Sequence, residues 1–268
     1  MSAAAAKRAQ SLVFDIVRGI AGAGLEPGDR LPSQAEMVRR FGIGATPLRE
    51  ALRMLELVGL VSLRPGPGAS PVVEAANAEH LAALVAAFLC LGGVTYGQLL
   101  EAWAATEPLL AEAAALNPNR LAVATELRRF AQEPESDEPV PPPHAIEFHD
   151  AVARCAGNPA LSLVLQVISY VVADLYWSST EALPPGRAVR HDHHEIAEAI
   201  LAGDARRARQ AMEDHARDTS AGILARIGKR PEERFLWARP RPGVAVYRRW
   251  AGAGSEEYAG ASAVGSAK

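Results

Sequence analysis

From Ala78 to Ile227 the sequence carries apolar residues at three- and four-residue spacing and no alternating run that would make a strand. Such a stretch buries its apolar stripes only by packing helix against helix, so the larger part of the chain is expected as an antiparallel all-α bundle. Helical stretches recur at about 78–91, 95–116, 119–132, 144–156, 159–178, 188–202 and 204–227. Asn158 followed by Pro159 reads as an N-cap with proline in the first turn. The acidic, proline-rich QEPESDEPVPPP (132–143) reads as a surface loop.

Residues 6–73 follow another plan. A first helix over 6–22 repeats Leu12, Ile16 and Ile20 at four-residue spacing. Ser33 opens SQAE with Glu36 three residues on, a capping box that starts a short second helix ending near Arg40. FGIGA breaks it, and a third helix runs from about Thr46 to Val58 with Pro47 in its first turn. LVSLRPGPGASPVV then reads as two short strands around a Gly/Pro turn. Three short helices and a hairpin are the plan of a winged helix-turn-helix, whose third helix enters the major groove of DNA.

The third helix suits that task. Thr46, Arg49 and Arg53 share one face, while Leu48, Leu52, Leu55 and Ala51 share the other. Arginines on an open face reach guanine edges or phosphates. Gly66 and Gly68 let the backbone approach the minor groove closely, with Arg64 at the base of the turn. Charge agrees: residues 1–70 hold nine basic and six acidic residues, although the whole chain carries −3. The same pattern also fits a plain helical subdomain with solvated arginines.

LEPGDRLPSQAEMVRRFGIGATPLREALRMLELVGLVSLRPGPGASPVV resembles the DNA-binding domain of the GntR family of bacterial transcription regulators, over about residues 10–73. The resemblance implies double-stranded operator DNA as partner, with contacts at Arg30, Ser33, Thr46, Arg49 and Arg53 and along the wing from Arg64 through Gly66 to Gly68. Two departures stand out. The family usually has Ser/Thr-Arg before the Thr-Pro, and here those positions are Gly44 and Ala45; the wing holds Pro67 where a basic residue is common. An operator unlike the family's usual one, or weaker binding, is expected.

In the bundle, three histidines fall on inward stripes. His193 shares one with Ile196, Ala197 and Ile200; His215 with Ala208, Ala211, Met212 and Thr219; His149 with Ile146, Val152, Ala153 and Ala156. Each alone is an ordinary hydrogen-bonded core histidine, but three buried neighbours call for a partner such as a metal or an anion. FHDAVARCAGNPAL and HHEIAEAILAGDARRARQAMEDH resemble motifs of the FCD effector domain, found in the FadR-like branch of that family, over about residues 79–226. The resemblance implies a divalent metal held by one Asp and three His, helping to bind a small carboxylate. Position by position the histidines are His149, His193 and His215, and the place of the Asp holds Ala145. A His₃ site still binds zinc, nickel or manganese with a place left for a ligand. Glu107, on an otherwise apolar stripe with Leu100, Trp103, Ala104, Leu110 and Ala111, is the candidate to replace the lost carboxylate. Trp103 stands where the family often has an arginine suited to the effector. The expected effector site is therefore Trp103, Glu107, His149, His193 and His215.

The expectation is a mainly α chain: a winged helix-turn-helix at 6–73, a helical effector-binding and dimerisation domain at 79–227, and a largely disordered Arg/Pro- then Gly/Ala/Ser-rich tail at 229–268. It would act as a homodimeric, cytoplasmic, ligand-responsive repressor. Two rivals remain at this point: a metal-dependent hydrolase or lyase, which lacks an HExxH pairing or other evident general base, and a constitutive DNA-binding protein whose pocket has decayed. Cys90 and Cys155 read as small core residues. No apolar run reaches the ~20 residues of a membrane span, and MSAAAAKRAQ lacks the apolar core of a signal peptide.

Overall fold

A computed structural model describes residues 3–63, 70–75, 78–132, 138, 140, 142–178 and 186–237. The first compact unit ends at Leu81 and the second begins at Ala82. In the first, α1 (Ala3–Gly22), α2 (Gln34–Phe41) and α3 (Ala45–Leu57) precede a two-stranded antiparallel sheet, β1 (Val61–Ser62) and β2 (Val72–Val73), with Val61 opposite Val73. This is the winged helix-turn-helix architecture. Its core draws Leu12 and Ile16 from α1, Met37 from α2, and Leu48, Ala51, Leu52 and Leu55 from α3. Those four α3 residues have no exposed surface. The capping box at Ser33 is half made: Ser33 Oγ accepts the Glu36 N–H at 3.3 Å, but the Glu36 carboxylate turns to Arg40 at 2.6 Å. The turn of the wing, with Arg64, Gly66 and Gly68, lies outside the described residues.

The second unit is the helical bundle. Its elements are α4 (Ala78–Leu91), whose first turn belongs to the preceding unit, α5 (Tyr96–Leu116), α6 (Arg120–Val123), α7 (Pro142–Cys155), α8 (Pro159–Ser178), α9 (Arg187–Ala202) and α10 (Ala205–Ile227). Thr95 caps α5 with a full capping box to Gln98, and Asp204 caps α10 through the Arg207 N–H. The helix expected over 119–132 is instead broken into α6 and a 3₁₀ turn at Leu127–Arg129. Val123 and Thr125, both β-branched, stand at the break, where helix propensity is weak.

Two apolar clusters hold the bundle. One gathers Leu110, Ala114, Phe130, Phe148, Val152, Ile196, Ile200 and Met212. The other gathers Ala86, Leu99, Trp103, Val171, Leu175, Ala216 and Ile223. Cys155 is buried in the first and Cys90 packs against the second, and both are free thiols. Among the described residues one stretch, Pro159–Tyr176 in α8, is apolar and long enough to cross a membrane by length and composition. It supplies Val171, Val172 and Leu175 to the second cluster.

The disordered tail expected from residue 229 needs correction at its start. Residues 229–237 fold back as a strap over the turn between α4 and α5. Phe235 N–H donates to the Val94 carbonyl at 2.8 Å, Tyr96 N–H to Glu233 at 3.0 Å, and Gly97 N–H to Pro231 at 2.8 Å. A Cβ on Gly97 would stand 2.9 Å from the Pro231 oxygen, so only glycine permits this approach. Phe235 is 2 % exposed and meets Tyr96 edge to face. Composition misled because one aromatic anchor and backbone pairing outweigh an Arg/Pro-rich neighbourhood. Residues 238–268 lie outside the described residues. Phe235→Ala is expected to cost about 3 kcal/mol in urea unfolding. A variant that unfolds at the wild-type midpoint would show that the strap holds nothing.

Candidate functional site

Two sites carry chemistry. The first is the open face of α3. Thr46, Arg49 and Arg53 are exposed there, opposite the buried leucines. Arg49 Nη2 lies 3.5 Å from Thr46 Oγ1, and Arg53 lies 4.0 Å from Glu50, so neither guanidinium is locked into the protein. Arg30 is exposed and its backbone bridges to Val72 of β2. Ser33 is half-buried and engaged as the cap of α2, which leaves its hydroxyl one acceptor bond down before any phosphate contact.

The second site fills the seam between the two apolar clusters. His149 of α7, His193 of α9 and His215 of α10 each bring one ring nitrogen within 4.8 Å of the others. His193 is 2 % and His215 4 % exposed. The His193 ring stacks on Phe148 at 3.8 Å, and Trp103 stands edge-on to both His149 and His215. Carboxylates sit behind two of the rings. Glu107 Oε2 meets His149 Nδ1 at 2.8 Å, and Asp192 Oδ2 meets His215 Nδ1 at 3.1 Å. A carboxylate only accepts, so each Nδ1 carries the proton and each neutral ring keeps its lone pair on Nε2. Trp103 Nε1 donates to Glu107 Oε1 at 3.2 Å, and Ser169 Oγ donates to the same oxygen.

The electrostatics follow. Burial pushes the Glu107 carboxyl up, but the charge and hydrogen bond of His149, with help from Ser169, hold it below its ordinary 4.5. Burial pushes His149 down, yet Glu107 carries it above its ordinary 6.5. His215 falls below 6.5, because burial outweighs its bond to Asp192. Asp150 is pushed up by burial although Tyr170 and Gln166 both donate to it. The rings face a cavity of about 510 Å³ that Trp103 and Ala145 also line. Glu107 is not at that surface: it is 1 % exposed and bonded on both oxygens, one layer behind His149. Its contact with the site is the hydrogen bond to His149 Nδ1, and it does not line the cavity.

Residues 8–70 match the bacterial regulatory proteins of the gntR family, and residues 98–218 match the FCD domain. The chain belongs to the GntR family. It is a transcriptional regulator with a DNA-binding head and an FCD domain, and the family and its relatives are not enzymes, which removes the hydrolase or lyase reading. The Uxu operon regulator of Haemophilus influenzae is 29% identical over 215 residues, 77% of this chain and 76% of that protein. The HTH-type transcriptional repressor NanR of Salmonella schwarzengrund is 24% identical over 215 residues, 77% of this chain and 80% of its own. A solved GntR structure from Streptococcus agalactiae shares the fold, with a TM-score of 0.56 at 19% identity, covering 80% of this chain and 99% of that one.

Of the residues expected at the effector site of this GntR regulator, Trp103, His149, His193 and His215 converge on the cavity. The sequence reading missed Asp192 and Ser169, which brace the site, and Arg226, which lines the cavity three turns of α10 beyond His215. Asp192 lies beside His193 on the helical wheel's flank and gave no inward signal. The stripe on α10 did extend through Ile223 toward Arg226, and following it further would have found that residue.

Proposed function

We propose that this regulator is a ligand-responsive, cytoplasmic, homodimeric repressor. Two winged heads read a palindromic operator, and a small anionic effector in the FCD cavity releases it. The observation that carries the reading is the cavity itself: three converging imidazoles, two of them braced by carboxylates, inside a domain joined to a DNA-binding head. A decayed pocket has no reason to keep Glu107 and Asp192 on the Nδ1 atoms. The relative NanR, named a transcriptional repressor, supports the sign.

The donor set fits one divalent ion, zinc, nickel or manganese, on His149, His193 and His215. Bound there, the ion supplies positive charge to an anionic oxygen of the effector. Glu107 and Asp192 hold two of the rings in the tautomer that leaves Nε2 open. Trp103 and the half-buried Ala145 line the space beside the rings and bring no charge to it, and the acidic lining there is Asp150, Asp192 and Asp218. Ligand contacts to α5, α7, α9 and α10 favour one arrangement of the bundle. Through the α4–α5 turn that preference reaches α4, which runs into the first unit, and shifts the population of operator-competent dimers.

Operator selected from a random DNA pool is expected to contain an inverted repeat. With zinc present, small hydroxy acids and sugar acids are expected to include one that weakens operator binding about tenfold or more in gel shifts. A panel of these acids, extended to straight-chain mono- and dicarboxylic acids, that neither shifts the melting temperature nor alters DNA affinity overturns the effector reading and leaves a constitutive binder.

A further inference from the structure

The cavity has two chemically different ends. His215 and Arg226 both line it and both belong to α10, eleven positions apart, which is three turns or about 16 Å of helix. Arg226 is the one arginine or lysine among the described lining residues. Its guanidinium is held in place, 5.3 Å over the Tyr176 ring with Nε donating to the Tyr176 carbonyl at 3.2 Å. The acidic lining residues lie at the opposite end. Asp150, Asp192 and Asp218 are each within three positions of a cluster histidine. Two of them are committed, Asp192 to His215 and Asp150 to Gln166 and Tyr170. Between His215 and Arg226 the lining residues of α10 are Asp218, Thr219, Gly222 and Ile223, and α8 adds the small apolar Val172 and Ala173. Among the described residues nothing lies within 4 Å of where a Cβ on Gly222 would stand, so there is room there.

We propose that the cavity selects an elongated ligand with an anionic group at each end, one meeting the histidines and the other Arg226. This rests on the reading of the cavity as the effector site. A small acid fills only the histidine end and leaves the rest of a cavity of about 510 Å³ to water. A long monoacid places its apolar tail against a guanidinium. A diacid of matching span gives Arg226 a carboxylate, which its planar fork binds through two parallel hydrogen bonds.

The test is calorimetric titration of the full chain, with zinc present, using adipate, suberate and sebacate against hexanoate, octanoate and decanoate, with acetate as the short control. One diacid is expected to bind about tenfold or more tightly than its matched monoacid. Arg226→Gln is expected to level the two and leave acetate binding unchanged. Because Arg226 also braces the end of α8, Arg226→Lys serves as a second variant that keeps the charge and is expected to keep part of the preference. Equal binding of diacids and monoacids to the wild type, or a preference that survives Arg226→Gln, overturns the inference while acetate binding leaves the effector reading standing. No binding of any acid, acetate included, overturns both.

Discussion

Arg49→Ala is expected to remove operator-specific binding and to leave the fold in place. Arg49 is exposed on α3, and its one close side-chain partner among the described residues, Thr46 Oγ1 at 3.5 Å, lies one turn away on the same helix. The packing that holds α3 comes from the other face, where Leu48, Ala51, Leu52 and Leu55 are wholly buried. Truncating the arginine therefore leaves no cavity and no unpaired buried charge. A bidentate arginine–guanine contact is worth about 1–3 kcal/mol of discrimination. A dimer makes it twice, so specific affinity is expected to fall by roughly thirty- to twenty-thousand-fold, while binding to random DNA changes little. Footprinting at one fixed salt concentration measures the loss, and circular dichroism melting checks the fold. A normal footprint from a well-folded variant would sink the recognition-helix assignment. Arg53→Ala serves as contrast: if it meets phosphate, all sequences weaken alike and the salt dependence flattens by about one charge per head.

The head was legible because its helices are short, amphipathic and punctuated. Pro47, the GLEPGD turn and the spacing of Leu48, Leu52 and Leu55 each say one thing, and they agree. The half-made box at Ser33 shows the limit of motif reading: Glu36 sees both the cap and Arg40, and sequence does not say which it takes. In the bundle, stripes placed three histidines inward, since an imidazole flanked at three and four positions by Ile and Ala has nowhere else to go. What stayed hidden was contact between helices. Asp192 reaches His215 across 23 positions and Glu107 reaches His149 across 42, and such pairings follow from packing, which a single helix's pattern does not contain. Glu107 was legible as inward, but not its place one layer behind His149, because a stripe gives direction and not depth. The strap at 229–237 was hidden for a similar reason: its partners, Val94 to Gly97, are distant in sequence and mostly backbone.

His193→Ala is expected to lower divalent-metal affinity by more than about a hundredfold, beyond what loss of an outer carboxylate costs, and to leave operator affinity without effector nearly unchanged. The metal content of untagged protein, by mass spectrometry against protein concentration, reads the first effect. Removing a ring that stacks on Phe148 also opens a cavity. His193→Gln, of similar volume, separates the two roles: lost metal with a wild-type melting curve marks a ligand, whereas retained metal or unfolding of both variants marks a core histidine. Glu107→Gln is the sharper companion. In the metal-free protein Glu107 raises the pKa of His149 above 6.5, so the ring keeps a second proton at pH values where a free imidazole has lost it. The stability from that ionic pairing is complete below pH 6.5 and is lost as pH rises through the raised pKa. A metal needs the neutral ring, so its binding drives that proton off, and affinity falls as pH drops below the raised value. Calorimetry in buffers of different ionisation enthalpy is expected to show proton release on zinc binding near pH 7. Glu107→Gln, which keeps a hydrogen-bond acceptor but no charge, is expected to reduce that release and weaken zinc about ten- to a hundredfold. Zinc binding without proton release in the wild type would mean that His149 is neutral beforehand and that the buried carboxylate does not govern the site.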